Sequence, residues 1–202
     1  MNLLREYIRE LLTESAIHPK IMSMIDQAED AGYKVLIGSN RVSIYDPGVD
    51  TSTYPTKINA KNSRASVSWY SGGSGPDFGP CLKAAVVNSS RSKEEIGPLA
   101  YDIAIEATGG LTSDRTEVSG EAEAVWSRYD KYRDDVKVDQ LDIMPHYLEP
   151  QLTPGDESDD CEQVPAYDMY KDGWMVSPLS KKYSKVGTPV IDELRKRGML
   201  DE

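Results

Sequence analysis

The sequence predicts an α/β protein, a mixed sheet flanked by helices, with an amphipathic helix before it and an irregular extension after it. Three observations predict this. Residues 33–45 hold two β-rich runs joined by Gly38-Ser39-Asn40. Residues 82–132 read as strand, turn, helix, short strand and second helix. The 202 residues are 39% hydrophobic and 28% charged, enough for one real core with several solvated segments.

Each element follows from local pattern. Leu3, Leu4, Tyr7, Ile8, Leu11 and Leu12 recur at helical spacing, so residues 2–14 read as a short amphipathic helix. Pro19 opens a second helix to about Ala31, with the stripe Ile21, Met24, Ile25 and Ala28 and a stop at Gly32. The hairpin pairs 33–37 with 41–45. Thr56 to Asn59 reads as a short strand, and Ala65 to Tyr70 as an edge or half-buried one. Residues 72–80 are a loop by composition.

A strand over 82–88 precedes a polar turn at Asn88–Ser92. Ser92 then caps a helix over 93–108, with Glu95 completing a capping box and Ile96, Leu99, Ala100, Ile103, Ala104 and Ala107 facing the core. That helix ends at Gly109-Gly110. After a brief strand at 111–113, Ser119 caps a helix to residue 132 with Ala122, Val125, Trp126 and Tyr129 on one face. Val136 to Val138 reads as a strand, 149–165 as an exposed acidic loop, and Pro189 to about Arg197 as a last helix. The chain therefore divides into an N-terminal helix (1–16), an α/β domain (17–148), and an acidic loop with a C-terminal extension (149–202).

Charge and cysteine usage bound the function. A net charge of -11 repels phosphate backbones and argues against a general nucleic-acid binder. Two histidines and two cysteines without a CxxC pair make a zinc site improbable. The separation of Cys81 and Cys161 permits a disulfide without suggesting one, and a reducing cytoplasm is expected. No apolar run reaches membrane-span length, and Arg5, Glu6, Arg9 and Glu10 interrupt any secretory signal.

The unit Ile96-Gly97-Pro98-Leu99, with Ser119 to Tyr129 after it, resembles the acetyltransferase superfamily known as GNAT, over about 50 residues. The resemblance implies acetyl-CoA as cofactor, held through its pyrophosphate by the turn and helix N-terminus at Ile96, Gly97 and Leu99. It implies transfer of an acetyl group to an amine, with Tyr129 as the acid toward the leaving thiolate. Tyr101, Tyr132 and Glu106 are further polar groups expected near the cleft. Such a cleft requires the strands at 82–88 and 111–113 to splay apart. Where the family has glycines this chain has Ser92, Lys93, Glu94 and Glu95, and two carboxylates there would oppose a phosphate.

The opening helix also resembles N-terminal segments of tailed-phage proteins. Ile-Arg-Glu at 8–10 and Leu-Thr-Glu at 12–14 resemble prohead-protease sites, which implies docking of residues 3–12 on a capsid scaffold, in the host cytoplasm or the virion. Two alternatives to an enzyme follow: a virion or internal capsid protein that keeps the fold as scaffold, and an acidic inhibitor of a host protein.

Other groups fit structural roles. Asp114 and Arg115 read as a surface ion pair or turn cap, with anion binding as the alternative. Asp156, Glu157, Asp159 and Asp160 lack the spacing and glycine of an EF-hand. His18 and His146 are isolated. Gly72 to Gly75 lacks the Lys-Ser/Thr of a P-loop. Cys81 reads as a buried small hydrophobe.

Overall fold

A computed structural model describes residues 17–50, 52, 57–70, 80–147, 149–170 and 173–201. The expected N-terminal helix at 2–14 and the loop at 72–79 lie outside them. Helix α1 (Pro19–Asp30) begins with proline in its first turn, where the missing N–H costs nothing, and His18 Nδ1 accepts from the Lys20 amide at 3.2 Å. It buries Ile21, Met24, Ile25 and Ala28, the stripe read from the sequence. Gly32, at φ 71°, reverses the chain into the sheet.

Strands β1 (Lys34–Ile37), β2 (Arg41–Tyr45), β3 (Ser63–Tyr70) and β4 (Ala85–Ser92) form an antiparallel meander. β3 is an interior strand rather than an edge, and Ala65, Val67 and Trp69 are buried on the core face. Its other face carries Ser66 and Ser68, whose small polar side chains disguised the strand as half-exposed. No strand forms at residues 57–59.

The polar stretch Asn88–Ser92, expected as a turn, continues β4. Ser89 to Ser92 pair with Ser68, Val67, Ser66 and Ala65. Helix α2 (Gly97–Thr108) consequently starts four residues later than expected. The capping box does not form, because Ser92 is still in the sheet and its hydroxyl donates to the Glu94 carbonyl. Leu99, Ala100, Ile103 and Ala104 face the core, whereas Ala107 is exposed in the last turn. Gly109, left-handed at φ 69°, ends the helix.

Strand β5 (Leu111–Thr112) pairs parallel to β4, as a strand–helix–strand crossover requires. Helix α3 (Gly120–Tyr132) is capped by Ser119, which accepts from the Ala122 amide at 3.3 Å. It buries Trp126 and Tyr129, and Trp126 meets Tyr101 edge-on at 5.2 Å. Strand β6 (Lys137–Gln140) follows, then the short parallel pair β7 (Asp142–Ile143) and β8 (Asp160–Cys161).

Residues 149–202, expected as a loop and extension, complete this fold. After helix α4 (Val164–Met169), strand β9 (Lys181–Ser184) enters between β5 and β6, giving a seven-stranded mixed sheet of order β1-β2-β3-β4-β5-β9-β6. Helix α5 (Pro189–Lys196) buries Val190, Ile191 and Leu194. Beyond it, Val35 donates to the Met199 carbonyl at 2.9 Å and accepts from Asp201 at 2.8 Å, so the edge of β1 is covered.

The acidic loop is also anchored. Cys81 and Cys161 form a disulfide, both sulfurs buried, which ties the entry to β4 to β8. Two cysteines 80 residues apart carry no local sign of this pairing. Asp159 and Asp160 are buried, since Lys83 reaches Asp159 at 2.9 Å and Gln151 reaches Asp160 at 2.9 Å. Partnered carboxylates tolerate burial that composition alone would forbid.

Candidate functional site

The site forms where β4 leaves its parallel neighbour. β5 is only two residues long and both pair with β4, Ala85 with Leu111 and Val86 with Thr112, so among the described strands the far half of β4 has no parallel neighbour. A bulge lies just beyond, in the pairing of β4 with β3. Trp69 pairs with Val87 and Ser68 with Ser89, so Asn88 is the extra residue, and bulges bend and twist a strand. The Asn88 side chain accepts from the Ser68 hydroxyl at 2.5 Å, which fixes the bulge.

A cavity of about 930 Å³ lies around the far half of β4 and the first turn of α2. Lys20 from α1, Arg41 from β2, Arg64 from β3, Arg91 and Lys93 at the end of β4, and Arg128 from α3 line it. Glu94, Glu95 and Glu121 are the acidic wall residues. Arg64 is paired with Asp46 at 2.9 Å, and Lys93 is turned back to the Ala60 carbonyl at 2.5 Å. Among the described residues no carboxylate pairs with Lys20, Arg41, Arg91 or Arg128. In a chain of net charge -11, four unpaired cations on one cavity form a local reversal of sign.

The carboxylates that seemed to oppose an anion are partly spent elsewhere. The Tyr33 hydroxyl donates to Glu94 Oε1 at 2.9 Å and Oε2 at 3.1 Å, and Arg64 lies 3.7 Å from it. Burial, then the Glu94 hydrogen bond, raises the Tyr33 phenol above its usual value. Two nitrogens on the same wall, Asn59 Nδ2 and Arg64 Nε, are buried without an acceptor among the described residues.

Of the three residues expected to hold a cofactor, Gly97 lines the cavity, while Ile96 and Leu99 are fully buried packing residues. Pro98 has no N–H, and the Leu99 amide bonds the Ile96 carbonyl at 3.1 Å. The helix end therefore contributes less than the cations. A Cβ on Gly97 would stand 3.1 Å from Ser92 Cβ, so glycine here allows the turn to fold against β4.

Tyr129, the expected acid, is 2% exposed. Its hydroxyl donates to Asp102 and lies 3.3 Å from the Pro98 carbonyl, while the Arg133 guanidinium sits 4.8 Å over its ring. Burial and the Asp102 charge raise its phenol well above the usual value. Tyr101 instead faces the cavity, with its hydroxyl donating to Ser90 at 2.9 Å. Glu106 is bound to the amides of Val190 and Ile191 at 3.0 and 2.9 Å, where it caps α5.

Arg115 is not a surface ion pair. It is 1% exposed, donating to the Ser113 carbonyl at 3.0 Å, Thr112 at 3.0 Å and Gln163 at 3.1 Å, with burial pushing it down to about 10. Asp142, Asp159 and Asp160 offer carboxylate oxygens within 4.8 Å of one another. Lys83, Thr153 and Gln151 already bind them.

Five of the six cations that line the cavity among the described residues, Arg64 included, were not legible in the sequence. Lys20, Arg41, Arg91 and Arg128 come from four separate elements, and each has ordinary neighbours in the chain. Comparison with known proteins returned no family model, no curated protein and no solved structure that matches this chain.

Proposed function

We propose that this chain is an acetyltransferase-like protein that binds acetyl-CoA in the cationic cavity and transfers the acetyl group to an amine. One observation carries this reading: among the described residues, four cations without carboxylate partners line one cavity around the far half of β4 and the first turn of α2. Such a cluster suits a pyrophosphate, whose oxygens accept charge-assisted hydrogen bonds from several cations at once.

Acetyl-CoA, when bound, supplies the thioester. The chain's residues do the rest. Lys20, Arg41, Arg91 and Arg128 hold phosphate groups, and Gly97 allows the turn to approach them. In this reading Tyr101, whose side chain lines the cavity wall, takes the role of acid toward the leaving sulfur. Its phenol is raised by burial, which keeps it protonated, although the Ser90 hydrogen bond works the other way. Tyr129 acts through Asp102, by fixing α3 against α2.

Titration calorimetry with acetyl-CoA tests the reading. Binding that weakens about tenfold or more in Arg41→Ala/Arg91→Ala, and falls with added salt, is the expected result. Absence of heat at millimolar acetyl-CoA from folded protein overturns it.

A further inference from the structure

Beside the cationic cavity lies a second hollow of about 220 Å³ between α1, the start of α2 and α3. Its character is opposite. Ile21, Pro98, Val125 and Tyr132 supply apolar walls, and the lining is predominantly apolar. Lys20, Pro98, Val125 and Arg128 line both spaces, so the two share an edge. Whole-ligand clefts usually measure about 300–1,000 Å³, so the smaller hollow suits one part of a ligand.

A ligand that fills both is flat and apolar at one end and multiply anionic at the other. Tyr132 adds a specific signal, because it is 73% exposed at the rim and stacks on no other ring among the described residues. An exposed aromatic face beside unpaired cations is the arrangement that receives a nucleobase. His18 also lines the hollow, and its Nδ1 is taken by the Lys20 amide. Nε2 is left as the donor toward a ring nitrogen of a base.

We propose that the hollow between α1 and α3 seats the adenine ring of the cofactor, with Tyr132 stacking on the base and Lys20 and Arg128 taking the adjoining phosphates. This rests on the acetyl-CoA reading above and extends it to the nucleotide half of the molecule. It makes a separable claim: adenosine 3′,5′-bisphosphate alone binds, through residues that do not touch the pantetheine arm.

The full chain is titrated calorimetrically with acetyl-CoA, adenosine 3′,5′-bisphosphate and 4′-phosphopantetheine, as wild type, Tyr132→Ala and Val125→Glu. Circular dichroism confirms folding, and the exposure of Tyr132 makes its variant the safer one. Tyr132→Ala is expected to weaken the bisphosphate and acetyl-CoA each by about tenfold. Val125→Glu, which adds a negative charge at the edge shared by the two spaces, is expected to weaken them further and to weaken 4′-phosphopantetheine as well, whereas Tyr132→Ala leaves 4′-phosphopantetheine unchanged. If acetyl-CoA binds and both variants match wild type, the adenine seat is wrong and the cofactor reading stands. If the bisphosphate binds with the expected sensitivity and acetyl-CoA does not, the seat stands and the acetyl-transfer reading falls. No binding of any probe overturns both.

Discussion

Lys185 Nζ lies 2.7 Å from Asp102 Oδ2, and the two side chains are 1% and 0% exposed. The pair spans 83 residues and is the centre of a buried ionic network. Asp102 also takes Arg133 through two bonds of 2.9 and 2.7 Å, and Arg133 reaches Asp135 at 2.6 Å. Lys185 lies 3.3 Å from Glu106 and 3.4 Å from Asp135. Burial pushes the Lys185 ammonium down, but these carboxylates outweigh it and hold it above its usual value.

Lys185→Met should therefore destabilise the protein strongly, since Asp102 and Glu106 would keep their burial and lose a cation. The expected loss is about 3 kcal/mol or more. Urea unfolding followed by tryptophan fluorescence measures it, and an unchanged midpoint would remove the network from the stability account.

Asp135 gives the network a pH signature. Burial opposes its ionisation, but the Arg133 hydrogen bond and charge, with Lys185, hold the carboxyl below its ordinary 3.8. A depressed folded value means that the stabilisation is complete above the unfolded value. It is lost as pH falls through the folded one, because the unfolded chain takes the proton first. Asp135→Asn should flatten stability against pH below about pH 4 relative to wild type. Equal slopes in the two proteins would contradict this assignment.

The disulfide should be the strongest single constraint on the acidic loop. Cys81→Ser/Cys161→Ser, or reduction, is expected to lower stability by about 2–4 kcal/mol. Hydrogen exchange should rise in residues 149–163 before the rest of the chain. Reduction that leaves both the melting temperature and exchange unchanged would argue otherwise.

The two tyrosines should separate. Under the acetyl-transfer reading, Tyr101→Phe lowers turnover by about 10²-fold with acetyl-CoA affinity unchanged. Tyr129→Phe lowers stability by about 1–2 kcal/mol instead, because Asp102 loses a buried donor. Full turnover in Tyr101→Phe would return the role of acid to another group.

Local signals were legible where one element decides its own fate. The stripe Ile21, Met24, Ile25 and Ala28 declared α1, and Ser119 declared the start of α3. Ser89 to Ser92 misled because a strand with one open edge needs no apolar periodicity on its exposed half. β9 was hidden for a different reason: its place between β5 and β6 depends on contacts with residues far away in the chain. The cationic site was hidden in the same way, assembled from single residues of separate elements. Gly97 was visible as a turn residue, whereas the pairing of Glu94 with Tyr33 was not.

The insertion of β9 has a consequence for synthesis on the ribosome. Leu111 emerges some 70 residues before its neighbour Tyr183, and the edge of β1 waits longer still for Met199 and Asp201. Until then the parallel pair β4–β5 stands with a bare flank, and Lys185 is missing from among Asp102, Glu106 and Asp135. The nascent chain can collapse early but cannot lock. Native pairing waits until residues 181–201 have left the exit tunnel, and a chaperone that shields the bare flank during that interval should raise the yield.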